Sequence, residues 1–547
     1  MDTTNRRPDR PVSESAARLT RRQLVRLTAA GAGALALGSL AACAPDAPAT
    51  PGGSAAPIAA GTQPPAGPVR GGRLRVLAPA DISPRIMVDA LSPVNVWVLG
   101  GVYDTLTRYR LDRLEARPVL AESWTFSPDF RQLTFKLRGG VTFHGGRPFT
   151  SADVKWNIER VADPKSASQL LNFGKWAQRM ETPDPTTLVI TFDAPRPSAL
   201  DLFESLFIAD RESYEDLRAG KKFVGTGPFT LKEWIPGDGY TLARNASYWD
   251  RERPYLDEVS VKVVPDKQTQ LISLQTGNAD VATSVEQRDL KALSGDRKYR
   301  VAISPVWGTK WGMGFDVKAF PFADKRARQA IAYLVDRQRI IDTLLPLEEP
   351  IQLPWPKSSP AYFGDLAGRY AYDLAKAKAL WEQASGGRAV ELPITVSLAS
   401  PETHGIAELV QAELGKLGVK ATIEKLEAAQ YSQRLSGAKF NGIWIGLFAW
   451  VNKTPSTLFV QSFAYRVPNA QNFDSAEYRE VIGQTLSTTD AAELTKVYRR
   501  LDEILLDESF VVPIASANRP IATTAAVNGL TLTRDTVPLV GELWKSA

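Results

Sequence analysis

Cys43 is the only cysteine in the chain, and it stands ahead of the part that can fold. It closes the run Leu40-Ala41-Ala42-Cys43, after an apolar stretch from Leu27 to Leu40. That stretch is preceded by Thr20-Arg21-Arg22-Gln23-Leu24. Basic, then apolar, then small residues is the order of an export leader rather than of a packed element. The body beyond it has no thiol for a disulfide or a thiolate metal site. It must be held by a large apolar core, which a chain of 547 residues can build as two or three domains.

The leader is similar to a bacterial lipoprotein signal, which implies a lipid on Cys43 as the mature N-terminus. An inert Cys43 behind an ordinary cleavable leader is the alternative. The paired arginines suggest twin-arginine export, with the general route left open. Residues 1–43 are read as the signal and 44–69 as a linker. Ala44 to Val69 is nearly all Ala, Pro, Gly, Ser and Thr, and it cannot bury enough surface to offset the entropy of ordering. Such a tether spans on the order of 30 Å. The expected product is an extracytoplasmic body held at a membrane by its lipid, with no permanent membrane-spanning helix.

The formal charge of +6 is misleading. Residues 1–42 carry seven arginines against three acids, a net of +4, so only +2 of the +6 belongs to the rest. A nucleic-acid partner needs a concentrated basic face, and none is expected here.

The body mixes strands and helices throughout, which reads as α/β or α+β. Gly71 to Leu77 predicts a first strand, and Leu133 to Arg138 alternates as a half-buried strand does. Trp124-Thr125-Phe126 is placed to pair with it across Ser127-Pro128-Asp129. Thr150 predicts a helix start, with Asp153 in the first turn. Asp324 to Leu345 carries one apolar helical face. Further helices are expected after Asp373, from His404 to Leu417, and from Ala491 to Leu506.

Local signatures of catalysis are missing. There is no Gly-x-Ser-x-Gly elbow, no His-Glu-x-x-His and no Walker loop. Gly31 to Ala36 imitates a dinucleotide loop but lies in the leader. Two histidines, His144 and His404, do not make a zinc site in a body without cysteine, and neither metal nor cofactor is expected. His144 is read as a structural hydrogen-bonder and His404 as a surface residue. Aromatic residues are abundant instead, with 13 Trp, 15 Tyr and 21 Phe. Together they suit a cleft that encloses an organic ligand.

Several ordered blocks resemble the family 5 extracellular solute-binding proteins of ABC importers. They are Val102-Tyr103-Asp104-Thr105-Leu106, Pro118 to Trp124, and Phe135 to Val154. Next come Gly225-Thr226-Gly227-Pro228-Phe229, with Trp234, Pro236-Gly237, Arg244-Asn245 and Tyr248-Trp249 behind it. Leu274 to Asp280 and Arg326 to Ile331, with Asp336-Arg337, complete the series. The resemblance implies the two-lobed periplasmic-binding-protein fold (class II, large cluster, with an extra subdomain inserted in lobe I). Lobe I is expected at 70–100, 224–308 and 510–547, the inserted subdomain at 101–223, and lobe II at 309–509. The chain is expected to cross between lobes near Trp307–Phe315 and Glu508–Pro513. Glycines 308, 312 and 314 suit either flexing or close strand packing.

The resemblance implies a monomeric, non-enzymatic protein that captures a small organic solute between its lobes and delivers it to ABC permease subunits. A sensing receptor or chaperone on the same fold is the alternative, and a secreted hydrolase a more remote one. Trp307, Trp311, Trp355, Trp450 and Asn452 are the expected ligand contacts. Peptide-binding members of the family hold the ligand's ammonium with an aspartate near an Asp-Pro pair, whereas Phe448 to Pro455 contains no acid. A free peptide N-terminus is therefore disfavoured, and Lys453 is read as favouring an anionic or neutral polar solute.

Overall fold

The computed structural model describes residues 67–546. Cys43, the leader and nearly all of the 44–69 linker lie outside the described residues. Among the described residues no helix is long and apolar enough to cross a membrane.

The two lobes are each built on one sheet. The first sheet runs, edge to edge, Tyr299–Ala302, Ile521–Thr524, Val281–Ala282, Arg73–Ala78, Glu258–Val263, Gly239–Arg244 and Phe229–Ile235. Arg73–Ala78 is parallel to both of its neighbours, and the remaining pairings are antiparallel. The second sheet runs Lys420–Leu426, Glu391–Ser397, Ile443–Ala449, Thr309–Phe315 and Val511–Ala517. Leu74, Val76 and Val259 are buried in the first core, and Met313, Ile394 and Ile445 in the second.

The inserted subdomain is a four-stranded antiparallel sheet, ordered Ala121–Phe126, Gln132–Leu137, Thr187–Phe192 and Ala177–Asp184. Phe126 pairs with Leu133 across the Ser127-Pro128-Asp129 turn. Helix Ser151–Ala162 packs on this sheet, and the backbone N–H of Thr150 donates to Asp153 at 2.9 Å. Val154, Ile158 and Val161 bury its apolar face against Phe135 and Leu188.

Two expectations shift. The apolar face from Asp324 to Leu345 is divided between two helices, Lys325–Leu334 and Arg337–Leu344. Val335 leaves the helical conformation, and Asp336 restarts the helix by accepting from the Arg339 N–H at 3.0 Å. A short acid at that point competes with the helix ladder as a cap does. The return crossing also lies later than 508–513. Every residue of Val511–Ala517 is buried, and the strand pairs antiparallel with Thr309–Phe315 inside lobe II. Asn518-Arg519-Pro520 then ends the apolar run and carries the chain to Ile521–Thr524 in lobe I. The outward crossing occupies 303–308, between Tyr299–Ala302 and Thr309–Phe315.

Candidate functional site

Two adjoining cavities lie beside the lobes, one of them at the crossings. One, of about 150 Å³, is lined by Leu91, Gln169, Asp535 and Thr536 on one side and Ala449, Trp450 and Asn452 on the other. Gly308 and Arg519 of the two crossings, with Ala517 at the end of the lobe II strand, complete its lining. The other, of about 440 Å³, is lined by Ala167–Gln169, Leu171 and Asn172 of the inserted subdomain and by Leu435, Leu447–Trp450, Gln461–Ala464 and Arg466 of lobe II. Gln169, Ala449 and Trp450 line both cavities, so the two are chambers of one cleft. Space bounded by several elements, with apolar side chains and convergent polar groups in its walls, is how small-molecule sites are built.

Trp450 stands at the junction. Its backbone has φ +74°, a region that bulky side chains seldom occupy. The conformation ends strand Ile443–Ala449 and turns the indole onto the apolar core of the inserted subdomain. Strain held at such a position is common at ligand contacts. Leu447 and Phe463, in the larger chamber, keep 40% of their surface open. Exposed apolar side chains gathered in a concavity mark a recognition surface.

The charges of the cleft fall into two kinds. Asp535 is occupied by its own protein: Lys453 Nζ lies 2.8 Å away, Ser205 donates at 2.6 Å and the Asn452 amide at 3.2 Å. Arg519 and Arg466 have no acidic or hydrogen-bonding side-chain partner among the described residues. Enclosure by protein pushes both guanidiniums below their ordinary value. Arg519 nevertheless remains exposed within the cleft, and Arg466 lies over the Phe463 ring at 4.1 Å. Gln461 adds a donor: its residue is 6% exposed, it lines the larger chamber, and its Nε2 is buried without a partner.

The two sides of the cleft are tied together behind Trp450. Arg534 donates to the Asn452 carbonyl at 2.7 Å, and the Asn452 amide donates back to the Arg534 carbonyl. Asp201 accepts from the Thr454 hydroxyl at 3.0 Å and from the Thr457 hydroxyl. Asn172 donates to the Val460 carbonyl at 2.9 Å.

The family model for bacterial extracellular solute-binding proteins, family 5 (middle), matches residues 115–467. The chain belongs to this family. As a family 5 protein it is a solute-binding component of an ABC importer. The glutathione-binding protein GsiB of Escherichia coli is 26% identical over 463 residues, covering 82% of this chain and 90% of that protein. GsiB of Shigella flexneri is equally similar, at 26% over 463 residues. Among solved structures, AgaA of A. tumefaciens in complex with agropinic acid is 25% identical with a TM-score of 0.76, covering 87% of this chain and 99% of that one. CtaP of Listeria monocytogenes shares the fold, with 21% identity, a TM-score of 0.77, and coverage of 87% of this chain and 100% of that one.

Of the five expected ligand contacts in this family 5 chain, Trp450 and Asn452 line the cleft. The other three tryptophans line neither chamber and are packed in the lobe II core. Trp307 donates to Glu349 at 2.9 Å, and Trp355 to the buried Asp502 at 2.8 Å. Trp311 is 6% exposed, with its Nε1 buried and unpartnered. Lys453 is not a free cation, because Asp535 takes its charge.

The family 5 motif residues are scaffold. A Cβ on Gly225 would lie 2.0 Å from the Val102 carbonyl oxygen, and one on Gly227 would lie 2.5 Å from the Val102 carbonyl carbon. These glycines permit close approach of two chain segments. Gly312 and Gly314 serve packing likewise, against Phe448 and against Trp444 and Gln471. His144 joins the inserted subdomain to this loop: Nε2 bonds the Gly227 carbonyl at 3.0 Å and Nδ1 accepts from the Gly225 N–H at 3.4 Å. Burial lowers its pKa, consistent with the neutral ring these partners require.

Proposed function

We propose that this protein is a lipid-anchored receptor that takes a small organic solute into the cleft around Trp450 and hands it to an ABC permease by hinge closure. The observation that carries this is the cleft itself, with two chambers meeting at Trp450 and residues of both interlobe crossings lining one of them. Opposed walls on two lobes joined by short crossings form the arrangement in which a hinge motion can bury a ligand. Trp450 supplies an apolar face to the solute, while Asn452 positions the loop beneath it. Cys43 carries the lipid, and 44–69 is the slack that lets the body reach its permease. The lobes are assigned as 70–100, 224–302 and 521–547 for the first, 309–517 for the second, and 101–223 for the inserted subdomain.

Glutathione and agropinic acid, bound by the relatives GsiB and AgaA, are both acids, which fits a cleft whose open charges are cationic. A free peptide ammonium is disfavoured because Asp535 already holds the ammonium of Lys453.

Native mass spectrometry of protein purified from its own membranes tests the reading. A stoichiometric small-molecule adduct, released on denaturation and absent from a Trp450→Ala protein, is expected. A turnover product in place of a retained solute, or an adduct equally present in Trp450→Ala, overturns it.

A further inference from the structure

Resting on the solute-binding reading, we infer that the cleft selects organic anions: acidic groups pair with Arg519 and Arg466, and an apolar midsection lies on Trp450.

The two arginines are separated by chamber. Arg519 lines the smaller and Arg466 the larger, and Trp450 belongs to both. Neither guanidinium has a carboxylate or hydrogen-bonding side-chain partner among the described residues, although enclosure disfavours an unpaired charge. A guanidinium presents a rigid fork of donors that matches a carboxylate in two parallel bonds.

Among the described residues Asp535 is the only acid lining either chamber, and it is neutralised from behind by a lysine with no exposed side chain. A cationic solute thus meets two open positive charges and no open negative one. An anion meets two unpaired guanidiniums and, in the larger chamber, the unpartnered Gln461 amide. Between the charged positions Trp450, Leu447 and Phe463 offer apolar surface, beside the polar Gln169 that lines both chambers. That apolar surface favours a carbon skeleton between acidic groups over a small inorganic anion.

Arg519 lies in the return crossing, Asn518-Arg519-Pro520, between the lobe II strand and the lobe I strand. An anion bound there sits at the element that moves when the lobes move, so its charge can couple to closure.

The test is calorimetric titration of the mature protein with short and medium-chain dicarboxylic acids, N-acyl amino acids and N-acetyl dipeptides, each beside its uncharged amide. At least one acid is expected to bind, with its amide about 30-fold weaker or more. Arg519→Ala is expected to weaken the acid by a similar factor, Arg519→Lys to restore part of it, and Arg466→Ala to weaken diacids more than monoacids. Affinity is expected to fall with added salt.

Amides binding as well as acids, or an affinity unmoved by Arg519→Ala in a protein with unchanged melting temperature, overturns the inference. So does the absence of binding by any acid at about 1 mM. Tight binding of neutral or cationic solutes that depends on Trp450 leaves the solute-binding reading standing while removing this one.

Discussion

Lys453 Nζ lies 2.8 Å from the carboxylate of Asp535, with 0% of one side chain and 5% of the other open to solvent. The pair joins lobe II to the end of lobe I at the back of the cleft. It also supplies from within the chain the positive charge that Asp535 could otherwise take from a ligand.

Removing one partner of such a pair leaves the other charge buried and alone. Lys453→Met is expected to destabilise the protein by about 3–5 kcal/mol. Lys453→Met with Asp535→Asn is expected to recover much of that, because no charge is stranded. Chemical denaturation of the two singles and the double reads the coupling. A Lys453→Met protein as stable as the parent contradicts the pairing.

Lys310 presents the opposite case. It is wholly buried on strand Thr309–Phe315, its Nζ has no hydrogen-bond partner, and it lies 4.7 Å from the Tyr465 ring centroid. Burial drives its pKa well below the ordinary value of 10.5. The unfolded chain then binds the proton that the folded one releases. Stability is expected to rise with pH between the depressed folded value and 10.5, at up to about 1.4 kcal/mol per pH unit. Lys310→Met is expected to flatten that slope and to add about 1–3 kcal/mol near neutral pH. Melting temperatures of both proteins from pH 7 to about pH 10 check it. A destabilised Lys310→Met would assign the amine a partner.

Backbone approach separates two glycines of the chain. Gly225→Ala places a methyl 2.0 Å from the Val102 carbonyl oxygen and is expected to cost about 1–3 kcal/mol or prevent folding. Gly483, inside helix Ala476–Ser487, has nothing within 4 Å of where an added methyl would stand, and Gly483→Ala is expected to stabilise by about 0.5–1 kcal/mol. Thermal unfolding of the two variants in parallel decides between crowding and backbone freedom.

Much of the scaffold is legible in the sequence because it rests on local rules. The alternation of Leu133 to Arg138, the Thr150 start and the Asp373 cap each appear where their chemistry places them. The return crossing is misplaced by sequence reasoning because Val511–Ala517 is apolar throughout, and apolarity does not say which lobe a strand joins. Only its pairing with Thr309–Phe315 does. Trp307 and Trp355 look like ligand contacts in sequence, but their indole N–H groups meet Glu349 and Asp502, acids 42 and 147 residues away. Arg519 and Arg466 escape a sequence reading for the converse reason. What sets them apart is that they line the cleft without a partner, and that is visible only in three dimensions.

The anchor makes a separate prediction. With the lipid on Cys43, Cys43→Ser is expected to move the protein from the membrane fraction to the soluble one while leaving solute affinity unchanged. Fractionation followed by immunoblotting reads this, and a Cys43→Ser protein retained at the membrane contradicts the lipid assignment.

The proposed function places a solute at Trp450 between the lobes. Its most direct test is calorimetric titration of the solute recovered from the native protein into the parent and into Trp450→Ala. A loss of about tenfold or more is expected, as for a buried aromatic anchor. An affinity unchanged by Trp450→Ala, in a protein that melts like the parent, contradicts it.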